Sequence, residues 1–258
     1  MKEIAIITGA TEGIGFEFAK ILAQKNYDLI LTARNGKKLS EIKTDFESNY
    51  KINVYTFAKD LSQPQAAKEL YADISKLNLN ITTLINNAGL GDYGYFSDTD
   101  LDKEIQMVQL NISSLVTLTK YCLIEMKKNN YGRIMNVASL LSFFPMPLFN
   151  VYAATKAFVL SFSEALNNEL NGTKISVTTL CPGPTKTKFT ADSEMGNARA
   201  YKFMTQATPE EVAKLGIKAM LKGKRTTIFG FGNNLLAFST RMGTRGLVLK
   251  IARFIAEK

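Results

Sequence analysis

Tyr152 and Lys156, in VYAATKAF, stand four residues apart, and in a helix that spacing sets a phenol and an ammonium group on one face. A phenol beside a fixed positive charge can give a proton to an oxygen and take it back, because the charge favours the phenolate. The same spacing also arises in ordinary amphipathic helices, as an aromatic at the core edge and a solvated lysine. Two absences bear on the choice. The chain of 258 residues has no histidine, which excludes Ser-His-Asp and Cys-His catalysis, histidine metal sites and a histidine base. Its two cysteines, Cys122 and Cys181, fall inside a predicted helix and at the end of a predicted strand, as reduced structural thiols of a cytoplasmic protein would. No metal site is expected.

A second constellation is TGATEGIG, residues 8 to 15, with glycines at 9, 13 and 15. It lies between an apolar run, IAIIT, and a segment of helical period. Backbone N–H groups of such a loop can approach a pyrophosphate, and the helix start after Ile14 favours negative charge. The loop could also be a tight turn only. Its place at the first strand-to-helix crossing favours a dinucleotide.

These groups need a frame, and strand and helix alternate from the first residues. Strands are expected at IAIIT, DLILTAR, INVYTFAKD, TTLINNAG, GRIMNVAS, KISVTTLCPG and RTTIFG, with helices between them, including a long one around 100 to 127. The strands are nearly continuous apolar runs, so both sheet faces should be covered. The expected fold is a single α/β domain: a doubly wound, mostly parallel Rossmann sheet of about seven strands with helices on both faces. Thr208-Pro209-Glu210-Glu211 signals a helix start. Residues 1–230 form the expected dinucleotide-binding and catalytic domain, with 184–207 as a weakly patterned candidate lid, and 231–258 form a basic amphipathic extension.

The bulk numbers agree. With 46% hydrophobic and 21% charged residues the chain is an ordinary globular protein. Its net charge of +9 is spread along the sequence, so no nucleic-acid partner is expected, while a phosphate-bearing cofactor would be welcome. The start, MKEIAIITGA, runs straight into a strand and lacks the apolar core of a signal peptide, and no uncharged apolar run approaches the roughly 20 residues that cross a bilayer.

The sequence resembles the short-chain dehydrogenase/reductase family, whose glycine motif reads TGxxxGxG. The likeness continues in order through NNAG (86 to 89), Asn111, Ser139, Tyr152-x-x-x-Lys156 and Pro182-Gly183, and covers about residues 3 to 190. Taken alone, Ser139 would read as a strand-end cap and Asn111 as a helix-surface amide. The resemblance instead implies a catalytic set: Tyr152 as proton donor and acceptor, Ser139 hydrogen-bonding the carbonyl oxygen, Lys156 holding the nicotinamide ribose, and Asn111 binding a relay water.

It also implies cofactor contacts from Gly9, Thr11, Glu12, Gly13 and Ile14 in the loop, and from Asp60 and Leu61 at the adenine. Asn87, Ala88 and Gly89 should lie near the ribose, with Pro182, Gly183, Thr185 and Thr187 at the nicotinamide end. Strand two ends in Ala33-Arg34 rather than in an acid, and Asp28 is at its far end, which favours NADP(H) over NAD. Lys37 and Lys38 could assist with the phosphate. Glu12 departs from the basic residue that many NADP-using relatives carry before the second glycine.

The expected reaction is hydride transfer between NADP(H) and a carbonyl or secondary alcohol. Alternatives are a non-catalytic dinucleotide-binding sensor, or an isomerase or dehydratase on the same fold. LLSFFPMPLFN (140 to 150), with Tyr93, Tyr95, Phe96 and the lid methionines, suggests an apolar cleft for a hydrophobic ketone such as a 3-oxoacyl thioester or a steroid. Ala153, Ala154 and Thr155 are small enough to let nicotinamide and substrate approach the helix. The basic end segment, with Arg241, Arg245, Lys250, Arg253 and Lys258, could lie on a membrane, complete a homodimer or homotetramer, or fold over the pocket.

Overall fold

The computed structural model describes residues 2–193, 196, 198–199, 204–240 and 242–257; Met195, Arg241 and Lys258 lie outside the described residues. Seven parallel strands form one sheet in the order β3-β2-β1-β4-β5-β6-β7. They are β1 (Ile4–Thr8), β2 (Asp28–Ala33), β3 (Val54–Ala58), β4 (Thr83–Asn86), β5 (Gly132–Val137), β6 (Ile175–Cys181) and β7 (Thr226–Ile228). Every residue of β1 and of β4 is buried, as the unbroken apolar runs require when helices cover both faces.

One layer packs Phe18 and Leu22 of α1 (Gly13–Gln24), Phe46 of α2 (Gly36–Tyr50) and Val212 and Ile217 from the far end of the chain against the sheet. The other packs Leu70 of α3 (Ala66–Ser75) with Leu118 and Met126 from the long central helix. That helix runs as α4 (Leu101–Val108), a π-helical turn (Gln109–Ser114) and α5 (Leu115–Lys128). By length and composition alone a stretch of Leu101–Lys128 could cross a bilayer, yet 44% of it is buried inside the fold, where it serves as a core helix.

After β5 come a 3-10 turn (Leu140–Phe143) and α6 (Asn150–Glu169), which carries Tyr152 and Lys156. Beyond β6 lie α7 (Lys188–Asp192), α8 (Pro209–Leu221), and, after β7, α9 (Phe231–Ser239) and α10 (Arg245–Ala256). Helix α8 starts where the sequence signals it: the Thr208 N–H donates to Glu211 Oε2 at 2.9 Å, and Thr208 Oγ1 accepts the Glu211 N–H at 3.3 Å. Cys122 and Cys181 are both buried and free, and burial pushes both thiols up to about 12, which excludes a thiolate nucleophile.

Strand order reverses between β1 and β4. Chain crossovers diverge on either side of that point, leaving a crevice at the carboxyl ends of the strands. The glycine loop, NNAG and Ser139 all follow carboxyl ends of strands near that crevice.

Candidate active site

The reversal is tied together by Thr8 and Asn87. Thr8 Oγ1 accepts the N–H groups of Asn87 and Ala88 at 3.0 and 2.9 Å, and Asn87 Nδ2 donates to the carbonyls of Thr8 and Gly9 at 3.0 and 3.2 Å. Gly9 and Gly13 hold φ of +68° and +56°, a region that L side chains rarely adopt. At Gly15 the constraint is steric: a Cβ would sit 2.1 Å from Gly9 O and 2.4 Å from Asn87 Nδ2. Gly15→Ala is therefore expected to cost about 1–3 kcal/mol, read as a lowered midpoint in urea at unchanged slope.

Helix α1 begins without a side-chain cap, since Glu12 at its N-cap makes no capping hydrogen bond. The N–H groups of its first turn are thus left for an anion, which is the fit a dinucleotide pyrophosphate needs. A cleft of about 730 Å³ opens from this loop, lined by Gly9, Thr11, Glu12, Gly13 and Ile14. Arg34, Lys38, Asp60 and Leu61 line one end of the same cleft; Lys37 does not reach it. Asn35 and Lys59 also line it, although the sequence reading did not single them out. Burial raises the Asp60 carboxyl, but hydrogen bonds from Ser62 outweigh that and hold it below the usual carboxylate range.

Ser139, Tyr152 and Lys156 line the middle of the cleft, with Asn87, Ala88, Gly89, Pro182, Gly183, Thr185 and Thr187. Ser139 ends the β5 connection: its Oγ accepts the Leu141 N–H at 3.2 Å while Ser142 Oγ accepts the Ser139 N–H at 3.2 Å. That exchange fixes the serine and leaves its hydroxyl proton able to donate into the cleft. The Tyr152 ring is packed 6.0 Å from that of Phe189 on α7.

Lys156 Nζ donates to Val137 O at 2.9 Å and lies 5.9 Å from the centroid of the Tyr152 ring. Among the described residues it has no carboxylate partner. Burial pushes its pKa down, to about 8, with only a small opposing effect from Cys181.

Asn111 sits in the π-helical turn and is 1% exposed, so it is no surface amide. Its Oδ1 accepts the Leu90 N–H at 2.9 Å, and its Nδ2 donates to Leu90 O and to Thr155 Oγ1, both at 3.0 Å. Thr155 in turn donates to Tyr152 O at 2.8 Å. Asn111 Oδ1 and Lys156 Nζ flank Gly89, 3.2 and 3.4 Å from where its Cβ would be. Thr155 is therefore a strut between two helices. Neither it, Ala153 nor Ala154 lines the cleft, contrary to the expected close approach there: Ala153 packs into the core beside Tyr152 and Ala154 faces out.

The far end is apolar, lined by Leu140, Leu141, Phe144, Met146 and Phe149 from the predicted segment and by Met204 from the lid. Leu236 of α9 and Ile255 of α10 also line it, so the terminal extension folds over the pocket. Tyr95 and Phe96 do not join them; they are 55% and 61% exposed outside the cleft. Tyr93 packs behind Phe149, ring centroids 4.9 Å apart, and its hydroxyl donates to Ala256 O at 2.9 Å. Of the candidate lid, residues 194–195, 197 and 200–203 lie outside the described residues; within the described part Thr185 bridges Ala207 and the Arg199 N–H donates to Glu257 O at 2.9 Å.

This chain resembles known proteins in sequence and in fold. It is 34% identical over 191 residues to the very-long-chain 3-oxoacyl-CoA reductase-A of Danio rerio, covering 72% of this chain and 59% of that protein. It is 34% identical over 218 residues to a probable NADP-dependent dehydrogenase of Haemophilus influenzae, covering 82% of this chain and 84% of that one. Among solved structures, a short-chain dehydrogenase from Sphingobium yanoikuyae in complex with NADPH superposes with a TM-score of 0.82 at 24% identity, covering 95% of this chain and 94% of that one, a match of fold. The family model described as short chain dehydrogenase matches residues 3–198, and it spans strands β1 to β6, the glycine loop and the Ser139, Tyr152 and Lys156 cluster. The chain belongs to the short-chain dehydrogenase/reductase family of oxidoreductases.

Proposed function

We propose that the protein is an NADP(H)-dependent reductase of hydrophobic ketones, with Tyr152 as its proton donor. The observation that carries this reading is the single cleft that joins a cationic end, a Ser139–Tyr152–Lys156 centre and an apolar end. The likeness to a probable NADP-dependent dehydrogenase supports the cofactor, and the likeness to very-long-chain 3-oxoacyl-CoA reductases supports the substrate class.

The first-turn N–H groups of α1 would hold the pyrophosphate of a reduced nicotinamide dinucleotide, and Arg34 and Lys38 would hold its adenosine end; once bound, it would supply a hydride to the carbonyl carbon. The developing charge falls on the carbonyl oxygen. Ser139 donates a hydrogen bond to that oxygen and Tyr152 transfers its phenolic proton to it. The phenolate left behind is favoured by the Lys156 ammonium, whose remaining N–H groups would hold the cofactor's ribose hydroxyls. Asn111 keeps Leu90 and Thr155, and through Thr155 the start of α6, in register; in this reading its Oδ1 would also accept a hydrogen bond from a water relaying protons to Lys156. In the oxidative direction the same groups run in reverse.

The test is NADPH consumption over a panel of 3-oxoacyl thioesters of increasing chain length, a steroid ketone and small polar carbonyls. The expected result is kcat/KM rising with apolar length; a panel that favours small polar sugars overturns the substrate class. For the cofactor, Arg34→Ala is expected to raise the KM for NADPH by about 10- to 100-fold, the loss of one charge-assisted contact. The KM for NADH should barely change. Equal effects on both would remove Arg34 from 2′-phosphate recognition.

A further inference from the structure

Phe231, Leu235 and Phe238 recur at i, i+4 and i+7 on α9 and are 86%, 60% and 59% exposed. Leu247, Ile251 and Phe254 repeat the spacing on α10, each more than half exposed, and Met242 between the helices is 78% exposed. These stripes are additional to the faces that hold the helices down, where Ala237, Ala252 and Ala256 are buried against the cleft wall. Each helix is thus apolar on two sides, which one core cannot satisfy.

The charge around the stripes has one sign. From 231 to 257 the sequence has Arg241, Arg245, Lys250 and Arg253 against a single acid, Glu257, and Arg253 Nε already pairs with Glu257 at 2.7 Å. Arg245 and Lys250 are exposed and form no ion pair among the described residues. A second copy seated on this face would bring the same cations together, and the acid it brings, Glu257, is already paired with Arg253. An anionic bilayer satisfies both features: the stripes enter the headgroup boundary and the cations meet lipid phosphates.

We propose that the outer face of α9 and α10 docks on anionic phospholipid membranes. The reverse sides of these helices supply Leu236 and Ile255 to the cleft, so docking sets the apolar end of the cleft next to the lipid. The surface stands on its own geometry and does not depend on the ketone being lipid-like.

The test is co-sedimentation of the full chain with vesicles of phosphatidylcholine plus phosphatidylglycerol, against phosphatidylcholine alone. The expected result is binding about tenfold tighter to the anionic vesicles and weakened by salt. Leu235→Glu/Leu247→Glu/Ile251→Glu should leave the protein in the supernatant, and Arg245→Glu/Lys250→Glu should erase the preference for phosphatidylglycerol. Both variants should keep wild-type melting and turnover of a water-soluble carbonyl, which separates lost docking from misfolding. Wild-type protein that stays in the supernatant, or a triple variant that binds like wild type, overturns the proposal. So does sedimentation velocity showing that the triple variant dissociates an oligomer while vesicles bind neither protein, since a second copy would then be the occupant.

Discussion

Tyr152→Phe is expected to lower kcat for carbonyl reduction by about two to four orders of magnitude, the range that a positioned general acid contributes. The KM for NADPH should change little. The substitution removes one oxygen and keeps the ring that packs 6.0 Å from Phe189, so the cleft wall should persist and melting should shift only slightly. With no histidine in the chain and both buried thiols too weakly acidic to give up a proton, Tyr152 is the cleft-centre hydroxyl that the neighbouring Lys156 charge makes acidic. Steady-state NADPH oxidation and cofactor titration measure the two quantities separately. Turnover unchanged by the substitution would overturn the mechanism.

Lys156→Met is expected to abolish measurable turnover and, at neutral pH, to make the protein more stable. In the free protein Lys156 is buried with one carbonyl partner and no carboxylate among the described residues, and its pKa falls from 10.5 to about 8. The unfolded chain therefore holds that proton more tightly than the folded one. The cost is fully present below pH 8, shrinks between about 8 and 10.5, and vanishes above. A shift of that size corresponds to about 3 kcal/mol. Methionine fills similar space without the charge, so the variant should melt above wild type at pH 7, with the gap closing by about pH 10.5. A gap that is constant with pH would mean the burial cost is not electrostatic. The lysine is thus held at a loss to stability, as expected of a group kept for chemistry.

Much of this was legible in the sequence because the deciding signals are local. Continuous apolar strands, a glycine loop at the first crossing and the Thr208 capping box each arise from a few adjacent residues, and all stand where expected. Tyr152 and Lys156 share a face because four residues is one turn. The less legible features depend on distant partners. Asn111 reads as a surface amide until the π-helical turn and the Leu90 backbone enclose it, and nothing in QLNISS announces that turn. Thr155 looks like a spacer until Asn111 is seen to grip it. Tyr95 and Phe96 were grouped with the cleft by proximity to Tyr93, but the loop turns them outward. Leu236 and Ile255 reach the pocket only because the extension folds back, which its amphipathic pattern permits and does not dictate.

The π-helical turn also sets a length constraint. Over Gln109–Ser114 the backbone is wound with i to i+5 hydrogen bonds, so the stretch holds more residues per turn than a regular helix. Deleting one residue there would let the stretch return to regular winding with α4 and α5 still in phase, because the wide turn holds one residue more than an α-helical turn. Leu101 and Ile105 would keep their exposed face, while Asn111, inside the turn, would lose Leu90 or Thr155. The count of residues in this turn is thus set by the hold on Asn111 and not by the aim of α4, which a one-residue deletion in the regular part of the helix would rotate by about 100°.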